Sequence, residues 1–381
     1  MISVPSFAKI NLGLKIGARR VDGFHELRTV YQTIALHDVV RVAVEVGEGI
    51  EIRCSDPRVP LDASNTCWKI AGRVMELIAA DKQQVPRLAR DDNQQRENAD
   101  ASLKARSTRT AAMGPAPGSG RIVIDIEKRL PVQGGMGAAS SNAVATMLAL
   151  ERALGIELSQ ADKLRIAAEV GSDLPLFLIG GTVLGVGRGE EVHPLPDLPT
   201  LHLVVVTPPI GVSTPRAFTR WDELATSGAA LTTTKATGTI NSFAQGVSDW
   251  LSESFPQARP PASAAVGLDG AKVGPASGVP AIGGDRAETP LLDLVRTGIE
   301  NDFERVVFPE YPELREVKEL LVRQGAQYAS LSGSGSTVYG VFASRAKAQA
   351  AVERMLAAGY NAVATTSLTR EEYWKRHWAV D

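Results

Sequence analysis

The sequence predicts an α+β fold in two lobes. A chain of 381 residues is long enough for two domains, and 44% hydrophobic residues is the usual content of a protein with a packed core. In the first half, alternating strand-like stretches lead into a glycine-rich loop and then into helical periodicity. In the second half, strand and helix patterns follow each other in an order that suits helices on one face of an antiparallel sheet.

The strands are predicted from alternation of apolar and polar residues. "HDVVRVAVEV" and "RIVIDIEKRL" have this pattern, and in the second stretch Ile122, Ile124 and Ile126 share one face. Later strands are predicted at "LHLVVV", "QYASL" and "STVYGVFA". The last two are separated by a glycine turn.

The helices are predicted from a 3.6-residue period and from end signals. After the glycine loop, apolar residues recur at helical spacing up to Gly155, which stands where a C-cap is expected. Ser159 and Asp162 resemble a capping box for a second helix that runs to Gly171. Two further helices are predicted at "PELREVKELLVRQG" and "RAKAQAAVERMLAAG".

Charge and composition exclude several classes of protein. With 41 Lys and Arg against 43 Asp and Glu, the net charge of -2 gives no basic field to attract nucleic acid or an anionic membrane. No window has the length and hydrophobicity of a membrane span, and the first residues do not resemble a signal peptide. Cys54 and Cys67 have no metal-type spacing and give no disulfide framework. We therefore expect a cytoplasmic protein without nucleic-acid or membrane partners.

Two segments differ from the rest in composition. Residues 83–120 contain no aromatic residue and end in a cluster of Gly, Pro and Ser, and residues 257–290 are also rich in Gly and Pro. Such segments cannot bury enough apolar surface to offset their ordering entropy, so we predict two disordered insertions. Between them, "NSFAQGVSDWLSESF" is predicted as an amphipathic helix.

The loop "PVQGGMGAASSNA" has the composition of a phosphate-binding loop but contains no lysine. It lacks the Gly-Lys-Ser/Thr of a P-loop, and it fails the dinucleotide fingerprint because the sixth position from Gly135 is Ser140. Small residues could still let backbone N–H groups approach an anion at the positive end of the following helix. A turn of small residues that merely lets the helix pack closely on the strand explains the pattern equally well.

Three segments in order resemble the motifs of the GHMP kinases, which include galactokinase, homoserine kinase and mevalonate kinase. These are "PSFAKINLGL", the glycine loop, and "SLSGSGSTVYGVF". The run "DGFH" from Asp22 to His25 is similar to the branch of the family whose acceptor carries a cytidyl diphosphate group. Ala138 and Ala139 replace glycines that are common in that branch, which is tolerable if φ stays negative there.

The resemblance implies a fold and an activity. The fold would have a ribosomal protein S5 domain 2-like N-terminal lobe, residues 1–190, and a ferredoxin-like C-terminal lobe, residues 191–381. The activity would be transfer of the γ-phosphoryl of ATP, with Mg2+, to the 2-hydroxyl of 4-diphosphocytidyl-2-C-methylerythritol in the non-mevalonate route to isopentenyl diphosphate. The partner is then a small cytidyl diphosphate substrate. We expect a monomer or a homodimer, and the metal ligands are left unspecified.

The resemblance also implies which residues bind ATP. Backbone N–H groups of the loop would hold the phosphates, and Ser140 and Ser141 would cap the helix or reach a phosphate or metal ion. Lys128, otherwise a solvated strand end, would lie near the adenine. The predicted ATP-binding set is Lys128, Pro131, Val132, Gln133, Gly134, Gly135, Met136, Gly137, Ala138, Ala139, Ser140 and Ser141.

Two residues are predicted to be catalytic. Lys9 would ordinarily be the solvent-facing member of a strand, but the resemblance turns it into the site, where its ammonium group would stabilise charge on the transferred phosphoryl group. Asp173, just before Leu-Pro, reads either as a helix N-cap or, by the resemblance, as the general base for the acceptor hydroxyl. We expect the two side chains to pair.

Four residues are predicted to bind the acceptor. Asn11 shares a strand face with Lys9, since strand side chains alternate with a period of two. By the resemblance, His25 would hydrogen-bond the edge of the cytosine, and Phe24 and Phe218 would stack on opposite sides of that base. Each also has a structural interpretation: a polar rim residue for Asn11, a structural hydrogen bond for His25, and the core for Phe218.

Two alternative functions stay open at this point. One is a GHMP kinase that acts on another small alcohol, against which the Gly-Phe-His run argues. The other is a non-catalytic binding protein with the same fold, which would be free to lose Lys9, Asp173 or the loop.

Overall fold

The computed structural model describes residues 1–88, 120–226 and 300–378. Its strands are β1 Ile2–Arg19, β2 His25–Glu45, β3 Ile50–Cys54, β4 Arg121–Glu127, β5 Thr182–Val186, β6 Glu191–Pro194, β7 His202–Val206, β8 Tyr328–Leu331, β9 Val338–Phe342 and β10 Ala362–Thr366. Its helices are α1 Thr66–Leu88, α2 Ala138–Leu154, α3 Gln160–Val170, α4 Leu174–Phe177, α5 Thr214–Thr226, α6 Glu304–Glu310, α7 Pro312–Arg323, α8 Arg345–Ala357 and α9 Arg370–His377.

Most of the predicted insertions lie outside the described residues. Helix α1 continues to Leu88 and so includes the first residues of the segment 83–120. The segment 257–290 and the predicted helix "NSFAQGVSDWLSESF" are outside the described ranges altogether. Within those ranges, no helix is both long and apolar enough to cross a membrane.

The first sheet is built around two long antiparallel strands. β2 pairs with β1 on one side and with β4 and β5 on the other, and β3 and β6 complete the sheet. Ile122, Ile124 and Ile126 of β4 all enter the core cluster under helices α1 and α2, which confirms that they share a face. β6 continues this sheet to Pro194.

The second sheet is antiparallel, as predicted, and its strand order is β10-β7-β9-β8. Strand β10 was not predicted from the sequence. Val204 and Val206 of β7 pack with helices α7 and α8, whereas Leu203 and Val205 point the other way, into a cluster with residues of β1 and β2. Both faces of β7 are therefore buried. This explains why "LHLVVV" is a continuous apolar run rather than an alternating one.

The predicted helix ends are confirmed. Gly155 ends α2 in the left-handed region at φ 65°. The Ser159 side chain accepts a hydrogen bond from the Asp162 N–H at the start of α3, and Gly171 follows its last residue. Ala138 and Ala139 lie in the first turn of α2, where φ is negative, so they need no glycine.

Candidate active site

The glycine loop joins β4 to α2, and its backbone requires glycine at two close approaches. Gly135 and Gly137 have φ of 75° and 67°, in the left-handed region. A Cβ on Gly135 would lie 2.1 Å from the Ser332 carbonyl oxygen, and one on Gly137 would lie 2.9 Å from Phe177 and 3.2 Å from Lys9. The loop is therefore shaped by what packs against it.

The turn between β8 and β9 is one of these neighbours. The Ser332 hydroxyl donates to the Gly135 carbonyl at 2.9 Å, and the Thr337 N–H donates to the Gly134 carbonyl at 3.1 Å. Asn301 holds the turn from behind by donating to the Leu331 and Gly333 carbonyls. The second and third sequence motifs thus form one unit, although the chain separates them by almost two hundred residues.

Asp38 fixes the start of the loop and is a residue that the sequence did not indicate. Its fully buried carboxylate accepts hydrogen bonds from the N–H groups of Arg129 and Leu130, each at 2.7 Å, and from Asn142 at 3.0 Å. It also pairs with Lys128 Nζ at 2.7 Å. The sequence shows Asp38 only as an acidic residue near the start of a predicted strand. Because the strand was predicted to start at His37, Asp38 appeared to be a strand end.

A first cavity, here called the loop cavity, lies over the glycine loop and the N-terminus of α2. It has a volume of about 330 Å3. Ser140 lines it, whereas the Ser141 side chain is buried and receives a hydrogen bond from Ser6 at 2.7 Å, away from this space. Met136 contributes backbone only, since its side chain is in the core. The predicted residues that line it are Lys128, Pro131, Val132, Gln133, Gly134, Gly135, Met136, Gly137, Ala138, Ala139 and Ser140.

Helix α2 begins without a side-chain cap. Its N-cap residue is Gly137, and no acidic residue lies in the first turn. The free N–H groups of this turn and the positive end of the helix dipole therefore point toward the loop cavity. Such an arrangement binds an anion without any lysine in the loop.

A second cavity, here called the lysine cavity, lies on the other side of the loop. It has a volume of about 570 Å3, and Gly135 and Gly137 line both cavities. The predicted residues that line it are Lys9, Asn11, Phe24, His25, Asp173 and Phe218. The glycine loop is therefore the partition between the two spaces.

Lys9 and Asp173 meet in the lysine cavity beside Gly135 and Gly137, the shared wall that is here called the junction of the two cavities. The Lys9 Nζ and Asp173 Oδ2 atoms are 3.6 Å apart, and Lys9 also donates to the Gly135 carbonyl at 2.9 Å. The Lys9 side chain is buried, whereas 35% of the Asp173 side chain is exposed, toward the lysine cavity. Burial lowers the pKa of Lys9 below its ordinary value, and the carboxylate of Asp173 opposes that shift.

Asn11 and Tyr31 complete this centre. Lys9 Nζ donates to Asn11 Oδ1 at 2.7 Å, as expected for side chains on one strand face, and the Asn11 amide donates to Thr29. The Tyr31 hydroxyl donates to Asp173 Oδ1 at 3.1 Å. Burial, followed by the charge of Asp173, raises the pKa of Tyr31 well above its ordinary value, so it stays a donor. The sequence did not indicate Tyr31.

Asp173 occupies the N-cap position of α4, but its side chain makes no capping hydrogen bond. The carboxylate instead faces Tyr31 and Lys9. Asp173 therefore has the position of a cap residue, but its side chain contacts Lys9 and Tyr31 instead of capping the helix.

The far end of the lysine cavity is aromatic. The rings of His25 and Phe218 stack at 5.0 Å with an interplanar angle of 7°, and Phe303 meets Phe218 edge-on. His25 Nε2 lies 2.7 Å from Asp222 Oδ1, a partner that the sequence did not indicate. Phe24 is half exposed at the cavity edge. One face of the Phe218 ring is therefore covered by His25 and is not open to the cavity.

Comparisons with known proteins agree on one family. Family models of the GHMP kinases N terminal domain and of the GHMP kinases C terminal match residues 104–181 and 288–361. The 4-diphosphocytidyl-2-C-methyl-D-erythritol kinase of Heliobacterium modesticaldum is 33% identical to this chain, over 98% of the chain and 97% of that protein. The protein of the same name from Acaryochloris marina is 30% identical, over 90% and 87%.

Solved structures show the same fold. A crystal structure of 4-(cytidine 5'-diphospho)-2C-methyl-D-erythritol kinase superimposes with a TM-score of 0.58 at 24% identity, and covers 96% of this chain and 99% of that one. The homoserine kinase of Cytophaga hutchinsonii superimposes with a TM-score of 0.58 at 18% identity, and covers 97% and 94%. The two-lobed α+β prediction is thereby confirmed.

Proposed function

The chain belongs to the 4-diphosphocytidyl-2-C-methyl-D-erythritol kinases within the GHMP kinases, and from this we propose that ATP occupies the loop cavity and the cytidyl diphosphate alcohol the lysine cavity. The protein is a small-molecule kinase with ATP as its phosphate donor. It phosphorylates the 2-hydroxyl of 4-diphosphocytidyl-2-C-methyl-D-erythritol in the non-mevalonate route to isopentenyl diphosphate. The observation that carries the assignment of the cavities is the Lys9–Asp173 pair at their junction.

The phosphates of ATP are held by backbone groups in this proposal. The first turn of α2 supplies N–H donors from Ala138, Ala139 and Ser140, at the positive end of the helix. The γ-phosphoryl group then lies at Gly135 and Gly137, where the cavities meet. Lys128, held by Asp38, lines the same cavity and is assigned to the adenine end.

We propose Mg2+ as the metal that accompanies ATP. Mg2+ is commonly held by one or two protein oxygens together with substrate phosphates. The Ser140 hydroxyl, which lines the loop cavity, can supply such an oxygen. When bound, the ion neutralises charge on the phosphates.

The residues around Lys9 and Asp173 carry out the phosphoryl transfer in this proposal. Asp173 accepts the proton of the attacking hydroxyl through Oδ2, while the Tyr31 hydroxyl holds Oδ1 in place. The hydroxyl oxygen forms a bond to the γ-phosphorus, and the bond from that phosphorus to the β,γ-bridging oxygen breaks, which releases ADP. Lys9 stabilises the negative charge on the moving phosphoryl group, and Asn11 and the Gly135 carbonyl hold the ammonium in position.

The cytosine is assigned to the aromatic end of the lysine cavity. His25 offers a ring nitrogen for the base edge, with Nε2 held by Asp222, and Phe24 offers an exposed ring face for stacking. Phe218 supports the His25 ring from behind. Stacking of the base on Phe218 itself would require His25 to move.

A cytoplasmic location is part of the proposal. Both cysteines of the chain are free thiols, which favours a reducing compartment.

An acceptor panel tests the proposed function. Release of ADP from ATP would be measured with 4-diphosphocytidyl-2-C-methyl-D-erythritol, mevalonate and homoserine as acceptors. We expect turnover with the cytidyl substrate at a kcat/KM at least about a hundredfold above the other two, since a site built to bind a polar group rejects analogues that lack it. Preferred turnover of mevalonate or homoserine would assign the protein to another alcohol.

A further inference from the structure

The lysine cavity has basic side chains to which the phosphoryl transfer described above assigns no role. Besides Lys9, the side chains of Arg19 and Arg188 line it. In the proposed function, on which this inference rests, the acceptor carries a diphosphate between its cytosine and its alcohol. A cation between the two ends of the cavity would therefore meet the negative charge of the substrate.

Arg188 lies between those ends. It is part of the turn from β5 to β6, and a Cβ on the adjacent Gly189 would lie 2.6 Å from the Tyr31 hydroxyl, so the turn backbone packs against the catalytic centre. The Arg188 guanidinium carbon lies 5.0 Å from the centre of the Phe24 ring, at the cytosine end. One residue thus spans the stretch that a diphosphate would occupy.

Glu190 holds Arg188 in a fixed orientation. The carboxylate of Glu190 accepts a hydrogen bond from Arg188 Nε at 2.9 Å and one from the Arg188 backbone N–H at 2.6 Å. The two terminal guanidinium nitrogens donate to no acceptor in the described part of the chain. A guanidinium fixed through Nε, with its other nitrogens available and about a third of the side chain exposed, suits bidentate phosphate binding.

Arg19 is less suited to this role. Its side chain is 65% exposed, its Nε donates to the Gly23 carbonyl at 3.3 Å, and its Nη1 lies 3.9 Å from Asp222. The Arg19 guanidinium therefore interacts with Asp222 at the aromatic end of the cavity and with solvent.

We propose that Arg188 is a substrate-binding residue that recognises the diphosphate of the acceptor. Glu190 acts as its positioning residue. Arg188 thereby makes the kinase select a nucleoside diphosphate conjugate over an uncharged cytidine conjugate.

Binding of cytidine and of CDP separates this inference from the proposed function. Dissociation constants for both probes would be measured by calorimetry with the wild type, Arg188→Gln, Arg188→Lys and the control Arg165→Gln. Arg165 is a half-exposed arginine on α3, paired with Asp162 and Glu169, and does not line the cavity. Binding of ATP to each variant verifies that it is folded.

We expect the wild type and Arg165→Gln to bind CDP more tightly than cytidine. Arg188→Gln should bind CDP about ten- to a hundredfold more weakly with cytidine unchanged, as for the loss of a hydrogen-bonded charge, and Arg188→Lys should fall between. The inference would be overturned, while cytidine recognition stands, if the wild type bound the two probes with equal affinity. It would also be overturned if Arg188→Gln kept the preference for CDP, or if it bound both probes more weakly by the same factor. Failure of the wild type to bind either probe would overturn the inference together with the proposed cytidyl substrate.

Discussion

In the proposed site, Lys9 supplies the positive charge that the glycine loop lacks. Its ammonium comes from β1, is buried, and donates to the Gly135 carbonyl of the loop. Gly137 must lack a side chain, since a Cβ there would meet Lys9 Cγ at 3.2 Å. The loop therefore supplies backbone dipoles, and the strand supplies the charge.

The shifted pKa of Lys9 predicts the alkaline limb of the pH profile. Burial disfavours the ammonium, so the charged form is lost as pH rises through a pKa below the ordinary 10.5. We expect kcat/KM to fall on the alkaline side at a lower pH than an exposed lysine would give. In Lys9→Arg the guanidinium stays charged, so activity should be reduced but the limb should disappear. A limb at the same pH in Lys9→Arg would show that another group is responsible.

Candidate site residues could be named from the sequence where their neighbours are close in the chain or where they belong to a motif, and their roles remain predictions. Lys9 and Asn11 were paired correctly because strand periodicity is local. Tyr31, Asp38 and Asp222 were missed because each acts on a residue about ninety or more positions away, and no local pattern records such a contact. The stack of His25 on Phe218 was missed for the same reason.

The glycine loop and the turn from Ser332 to Thr337 behave as one structural element. The turn donates to the loop carbonyls through Ser332 and Thr337, and Asn301 fixes the turn. These contacts are made to backbone carbonyls and at Gly135, so the relative position of loop and turn depends on backbone fit.

Two glycine substitutions separate backbone strain from loss of this fit. Gly135→Ala and Gly155→Ala both place a side chain at positive φ, which costs about 1–2 kcal/mol. Only at Gly135 does the new Cβ meet a neighbour, the Ser332 carbonyl at 2.1 Å, whereas Gly155 has open space.

We expect Gly155→Ala to lower Tm slightly and leave turnover intact. Gly135→Ala should lower Tm further and reduce kcat by roughly a hundredfold, as for a displacement of about 1 Å at a catalytic loop. Thermal unfolding and ADP release measure the two effects. Equal behaviour of the two variants would contradict the close fit of loop and turn.

The elements that were predicted are those in which the core imposes a simple period on the sequence. Helices α7 and α8 and strands β7 to β9 appear where apolar spacing placed them. β2 was predicted only over its second half, since in its first half polar Thr29, Gln32 and Thr33 are buried and break the alternation. Periodicity cannot identify a strand whose buried face is polar.

At the scale of the whole molecule, the segment after residue 299 joins the two lobes. Asn301 bridges to Leu14 of β1, and the Asp302 N–H donates to the Leu14 carbonyl. The buried carboxylate of Asp302 accepts from Lys15 Nζ at 3.2 Å and from the Ile16 N–H at 3.0 Å. The strand that carries Lys9 is thus tied to the second lobe close to the active site.

Removal of this buried carboxylate should destabilise the protein strongly. Asp302→Ala leaves Lys15 buried, with the exposed Glu300 as its remaining partner, at 3.5 Å. We expect a loss of about 3–5 kcal/mol in the free energy of unfolding, as for a broken buried ion pair. Urea unfolding measures it, with Glu319→Ala, from an exposed pair with Arg323, as a control that should cost under about 1 kcal/mol. Similar losses in both variants would mean that the lobes are not held together by this pair.

In the proposed function, one centre at the junction of the two cavities moves both the proton and the phosphoryl group. Single-turnover transfer from ATP to the cytidyl substrate by Asp173→Asn, with both dissociation constants measured alongside, tests it most directly. The amide that replaces the carboxylate cannot accept the proton but fills the same space, so we expect transfer to slow by about 10²–10⁴-fold while both substrates bind within about threefold of the wild type. Transfer at the wild-type rate would show that Asp173 is not the base.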